Sequence, residues 1–256
     1  MIQSSVAFQS FLTNIFPKAP TTPQVPSQQL QLENQLLEAI SSNSKRLDNS
    51  QEITSLISQL EESSYSIQEP AISPQIKGRW KLLFTNNAST ASPIQRKAVD
   101  ASKYNIYQDI LLKDSKLIVS QVVKFSNDFI LTVDALASTA EYPLEELTAR
   151  QGKGTLGLTI LGESIVGEEA MEDPTKPNRR IDFVFDEGNF NFKGFKVPYP
   201  VPFRLPLLRD AVKGWIDVIY LSDRVRISKG NKGTTFVLVK EDDDEDDVEE
   251  EEVGSE

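Results

Sequence analysis

From Pro74 to Lys240 the chain is written mainly in a two-residue period, and this constrains its fold more than any other feature. Strand-like runs occupy 78–85, 104–112, 117–125, 128–136, 155–161, 180–185, 189–197, 216–221, 224–228 and 235–240. The alternation is plainest in Ile181-Asp-Phe183-Val-Phe185-Asp186 and in Asn189-Phe190-Asn-Phe192-Lys193. Side chains two apart in a strand share a face, so each run presents one apolar and one polar side. Gly188-Asn189 is expected to turn one hairpin, and Gly230-Asn-Lys-Gly233 another. Ten short runs joined mostly by hairpins predict an antiparallel sandwich or barrel. Helical stretches do not alternate with the strands, which argues against a doubly wound fold.

Helical periodicity is confined to the N-terminal side. Leu30, Leu32, Leu36, Leu37 and Ile40 mark one apolar face, and Ile53, Leu56, Ile57 and Leu60 mark a second. Ser41-Ser-Asn-Ser44 and Asp48-Asn-Ser50 interrupt the run, which predicts a helix–loop–helix over about 30–62, with the second helix starting near Ser50. Upstream, Phe8, Phe11, Leu12, Ile15 and Phe16 fit a short amphipathic helix ended by Pro17, and a Pro/Thr/Ser/Gln stretch runs on to Gln29 as a linker. Residues 1–26 hold no acid and one Lys. They suit an organelle-targeting peptide, a membrane-surface segment or a segment docked on the domain, and a retained surface segment is the favoured reading.

Charge and composition exclude much. The net charge of −11 comes from residues 241–256, which hold 12 acidic side chains and no basic one; the remainder has 26 acidic against 27 basic. That tail is expected to be disordered, with solvation as its bland role and docking of a basic protein partner or weak divalent-cation binding as the alternatives. A neutral body with an acidic end lacks the basic stripe that nucleic-acid binding requires. The chain has no Cys and no His. Thiolate and imidazole nucleophiles, bases and metal ligands are therefore unavailable. Glu141, Glu145, Glu146, Glu168, Glu169, Glu172 and Asp173 form no pairing that identifies a reaction. No apolar run is long enough to cross a bilayer as a helix. Gly152-Lys-Gly154-Thr-Leu-Gly157 matches a dinucleotide fingerprint, but a strand-like run follows it where a helix should open. No catalytic residue, metal or cofactor is expected.

Two motifs bear on binding. Gly78-Arg-Trp80 opens the first strand directly after the helices. At the entry of a small barrel, Gly allows a tight approach and Trp plugs the end, often under an Arg from the last strands; the bland alternative is an ordinary core Trp. Arg224 and Arg226 are the candidates for that Arg, placed on one face by alternation. The stretch Val197-Pro-Tyr199-Pro-Val-Pro-Phe203-Arg204-Leu-Pro-Leu-Leu208 is apolar where a loop is normally polar. It either packs over the core or touches lipid at a rim through Tyr199, Phe203 and Arg204.

These residues carry a resemblance. The span from about Leu36 to Lys240 resembles the plastid-lipid-associated protein/fibrillin family, with the Tyr199-Pro-Val-Pro-Phe-Arg204 stretch closest to its harpin-binding-protein-like branch. The resemblance rests on Leu36-Leu-Glu-Ala-Ile40, Ile57-Ser-Gln-Leu-Glu61 and Gly78-Arg-Trp-Lys-Leu-Leu-Phe-Thr85. Most specific is Gly214-Trp-Ile-Asp217-Val-Ile-Tyr220-Leu-Ser-Asp, continuing through Val225–Val239. It implies a mainly β, lipocalin-like antiparallel barrel over about 77–240, within a domain spanning 30–240 between the N-terminal segment (1–29) and the tail (241–256). It also implies a non-enzymatic protein that holds an apolar lipid (prenyl quinone, carotenoid or fatty acid). The expected setting is peripheral, on thylakoids or plastoglobules of a plastid or on cyanobacterial thylakoids. A structural coat on lipid globules, or a partner module for a prenyl-lipid enzyme, is the alternative. Gly78, Trp80, Asp217 and Arg226 match the entry and closing blocks. Phe84, Phe183, Phe185 and Phe236 are the candidate ligand-lining side chains, although alternation does not say which face of each strand points inward.

Overall fold

A computed structural model describes residues 27–41, 50–86, 101, 103–143, 175–198, 213–230 and 233–241. Its helices are α1 (Ser27–Ser41) and α2 (Ser50–Glu62), followed by a short 3-10 turn at Pro74–Ile76. The strands are β1 (Gly78–Thr85), β2 (Asn105–Lys113), β3 (Lys116–Ser126), β4 (Phe129–Ser138) and β5 (Arg180–Phe192). They continue as β6 (Phe195–Pro198), β7 (Lys213–Leu221), β8 (Val225–Gly230) and β9 (Thr235–Glu241). All pairings are antiparallel, in the order β4-β3-β2-β1-β9-β8-β7-β5, and β4 pairs with β5 to close the ring. The result is a closed eight-stranded barrel; β6 is an added ribbon on the far half of β5. Closure leaves those eight strands with partners on both sides, which removes the exposed edges of an open sheet.

One expected turn is absent. Gly188-Asn189 does not reverse the chain but lies inside the 13-residue β5, opposite Val133 and Thr132. The reversal comes at Lys193-Gly194, both at positive φ (48° and 83°), the geometry of a two-residue hairpin that follows strand twist. An interruption at 186 misled the periodicity: the register shifts between Asp134 and Ala135, so Phe185 and Glu187 face successive β4 residues across a bulge. That bulge moves the inward face from Phe183 and Phe185 to Phe190.

Two cores result. Inside the barrel, Trp80, Leu82, Ile106, Ile110, Leu117, Val119, Val123, Leu131, Ile181, Ile216, Val218, Leu221 and Leu238 pack together. Outside it, Leu36 and Ala39 of α1 and Ile53, Leu56, Ile57 and Leu60 of α2 cover Ile219, Tyr220, Val225, Ile227 and Val237. The period-3.6 stripe of each helix is thus buried against the outward side of β7–β9, which is apolar where the helices sit. A polar clasp fixes α1: the Tyr220 hydroxyl donates to Glu33 Oε1 at 2.7 Å, and Gln29 Nε2 donates to the Tyr220 oxygen at 3.0 Å. On the outer surface Lys229 binds Glu61 of α2 at 2.8 Å.

The segment after α2 runs across one end of the barrel. Ile67 N–H donates to Leu221 O (2.9 Å), Ala71 N–H donates to Asn178 O (2.8 Å), and Ile76 is buried beneath Trp80. That end is closed. Among the described residues no helix is long and apolar enough to cross a membrane.

Candidate functional site: the barrel interior

Gly78 starts β1 with φ +115°, and a Cβ there would meet Lys240 Cε at 3.0 Å, so both backbone and neighbour favour glycine. Two residues on, Trp80 is fully buried. Its indole N–H donates to Ile76 O at 2.8 Å, tying the ring to the closing segment. The Arg226 guanidinium lies 5.0 Å from the ring centroid and Lys240 Nζ 5.1 Å. The entry Gly, the plugging Trp and a covering Arg therefore meet at the closed end. Arg224, the other expected candidate, precedes β8 and turns outward to Asn34 (3.1 Å) and Glu33 (3.6 Å) of α1. The alternation argument failed there because the strand begins one residue later, at Val225.

Asp217 stands apart from this cluster. It faces outward and receives both forks of Arg180 at 2.7 and 2.8 Å, while Arg180 lies 3.9 Å over the Trp215 ring. Arg180 and Asp217 are directly paired across β5 and β7, so the ion pair clamps that seam of the barrel from outside.

Of the expected lining residues, Phe183 and Phe236 pack on the interior core and are half-buried. Phe185 is also half-buried and meets Phe183 edge-on, centroids 5.4 Å apart. Phe84 is a correction: it packs with the helix-side core. The register of β1 against β9 shifts between Leu82 and Phe84, so the inward face passes from Trp80 and Leu82 to Thr85, and Phe84 is turned out opposite Val237. Sequence reading missed Phe190, which is inward, and Gly214. A Cβ on Gly214 would lie 2.7 Å from Phe183 Cζ, so the ring occupies the space that this glycine leaves. Gly214→Ala is expected to tip Phe183 and cost on the order of 1 kcal/mol, read as a fall in urea midpoint. Tyr199, Phe203 and Arg204 lie outside the described residues.

The interior also holds a polar stratum. Arg226 and Ser228 are inward on β8, and Gln108 is inward on β2 opposite Trp80. Arg226 is fully buried; one terminal nitrogen donates to Gln108 Oε1. Burial pulls its pKa down to about 9, and among the described residues no carboxylate offsets the desolvation. Among the described residues no group of three or more potential Asp or Glu metal ligands occurs.

The chain's relationships agree with this geometry. The PAP_fibrillin family profile matches residues 30–239, from α1 to the last strand. The chain belongs to the PAP/fibrillin family. It is 42% identical over 184 residues to a probable plastid-lipid-associated protein 12, chloroplastic, of Arabidopsis thaliana, covering 68% of this chain and 35% of that protein. The chain therefore spans about a third of that relative's length. A chromoplast-specific carotenoid-associated protein of Cucumis sativus is 25% identical over 237 residues, covering 88% of this chain and 72% of the relative. A light-induced chloroplastic protein of Solanum tuberosum is 25% identical over 232 residues, covering 86% and 70%. No solved structure gave a significant match. Two of these relatives are named for plastid lipids or for carotenoids.

Proposed function

We propose that this PAP/fibrillin chain is a non-enzymatic lipid-binding protein of photosynthetic membranes or lipid globules, holding one prenyl lipid, quinone or fatty acid inside its barrel. The observation that carries the reading is the asymmetry of the interior. One end is sealed by Trp80, Ile76 and the closing segment, while Phe183, Phe185, Phe190 and Phe236 toward the other end are inward yet only half-buried. Apolar rings left partly uncovered inside a closed barrel suit an apolar guest.

The setting we infer is peripheral, at a thylakoid or plastoglobule surface. Phe195 is 75% exposed, and Phe192 and Val197 are each 53% exposed, all on the β5–β6 ribbon with Lys193 and Lys196. Aromatic rings beside lysines suit an interface with anionic lipid. This ribbon leads directly into Tyr199, Phe203 and Arg204, which we assign to the same contact. Phe195→Asp is expected to reduce flotation with anionic vesicles several-fold at unchanged stability; equal flotation of both proteins would remove the ribbon from the contact.

Native mass spectrometry of the purified chain, with organic extraction of what travels with it, tests the carrier reading. A stoichiometric quinone, carotenoid or fatty acid supports it. A bare mass, with all lipid left in the membrane fraction, supports a coat on lipid globules instead. For the acidic segment 241–256 we propose docking of a basic protein partner, expected as a salt-sensitive pull-down lost on truncation after Lys240.

A further inference from the structure

Among the described residues, the buried side-chain polar atoms without a hydrogen-bond partner are Arg226 Nε and Nη1, Ser228 Oγ and Thr85 Oγ1. They are not scattered. Thr85 pairs with Phe236, Phe236 pairs with Ser228, and Arg226 pairs with Leu238, which pairs with Leu82. Phe236, Leu238 and Leu82 all pack on the interior core, so Thr85, Ser228 and Arg226 share the inward wall of the adjacent strands β1, β9 and β8. A buried polar atom with no partner costs free energy, and an unpaired buried guanidinium costs more. A wall that gathers them is a donor set waiting for an acceptor.

Among the described residues, none supplies that acceptor. Gln108 takes one terminal nitrogen of Arg226, and the Trp80 face takes part of its charge. Carboxylates on the neighbouring strands are committed outward: Asp109 to Arg79 at 2.9 Å and Asp217 to Arg180 at 2.7 Å. Lys240, on the other approach to Trp80, adds a second cation. The site is cationic and a hydrogen-bond donor, at the bottom of an aromatic-lined interior.

We propose that Arg226, Ser228 and Thr85 form an anion subsite that receives the carboxylate of a single-chain fatty acid, inserted head first toward Trp80. This rests on the lipid-carrier reading above and narrows it to an acidic ligand. From the half-buried end inward, a guest meets Phe236 with Thr85 and Ser228 first, then Arg226, and finally Trp80. The carboxylate would accept from the guanidinium and the Ser228 and Thr85 hydroxyls, and the acyl chain would lie against Phe183, Phe185 and Phe190. Charge-assisted bonds to buried groups are strong, and a neutral head group would leave the cation uncompensated.

Titration calorimetry of the delipidated full chain with palmitic acid and with hexadecan-1-ol tests this, because the two differ only at the head. The acid is expected to bind about tenfold or more tightly than the alcohol. Arg226→Met should bring the acid down to the alcohol's affinity, with Arg226→Lys and Ser228→Ala intermediate. If Arg226→Met does not fold, the acid–alcohol comparison on the unaltered chain and on Ser228→Ala still decides. Equal affinity for acid and alcohol would overturn the anion subsite and leave the carrier reading standing. Binding of neither, with a folded chain, would overturn both.

Discussion

Replacing Trp80 by Ala is expected to remove about 3–5 kcal/mol of stability, the cost of truncating a large, fully buried aromatic ring. The ring is fully buried, and its loss acts at three places. Ile76 O loses the indole N–H that ties the closing segment to the barrel. Arg226 and Lys240 lose the π face that each approaches at about 5 Å. A void opens at the end where Leu82, Ile110 and Leu238 converge. Urea denaturation followed by circular dichroism reads the effect as a lower midpoint at unchanged slope. A midpoint shift near zero would mean that Trp80 does not plug the barrel. Trp80→Phe should recover a part of the loss, since it restores ring volume without the N–H donor.

The second large effect is expected at the α1 clasp. Tyr220→Phe should cost about 1–3 kcal/mol, because it removes the hydroxyl that donates to the buried Glu33 carboxyl group at 2.7 Å. Among the described residues, Glu33, 1% exposed, would keep Gln29 at 3.4 Å and Arg224 at 3.6 Å. The same clasp sets a pH dependence. Burial first, and then the hydrogen bond and charge of Glu33, push the Tyr220 phenol well above its ordinary value of 10. A group whose folded pKa is raised contributes its full stabilisation below the unfolded pKa and loses it as pH rises toward the folded value. Stability should therefore be level with respect to this group up to about pH 10 and fall above it. Tyr220→Phe should lack that part of the alkaline fall. Urea midpoints across pH 8 to 11.5 check this, and parallel curves for the two proteins would contradict it.

How far the sequence could be read depended on whether a property was local. The start of α2 at Ser50 and most strand bounds followed from period, caps and glycines, which act over a few residues. β1 was expected and found at Gly78–Thr85. Errors arose where one residue was inserted into a ladder. The bulge after Leu82 turned Phe84 to the helices, and the bulge near Asp186 made one long strand resemble two. A bulge leaves the apolar pattern nearly intact on each side of it, so only pairing with the neighbouring strand reveals it.

The candidate site divides in the same way. That Arg226 and Ser228 share a face could be read from their spacing on one strand. That Thr85 joins them, that Gln108 faces Trp80, and that Asp217 is instead clamped outside by Arg180 required the register of six strands. By itself the sequence determined the fold class, the absence of thiol and imidazole chemistry, and the helix faces, because composition and periodicity are properties of the chain alone. The tertiary structure decided which side of each strand became interior, where the barrel closed, and which polar groups were left buried without partners. Those depend on pairing between residues as much as 162 positions apart, as between Arg79 and Glu241, and no local pattern records it.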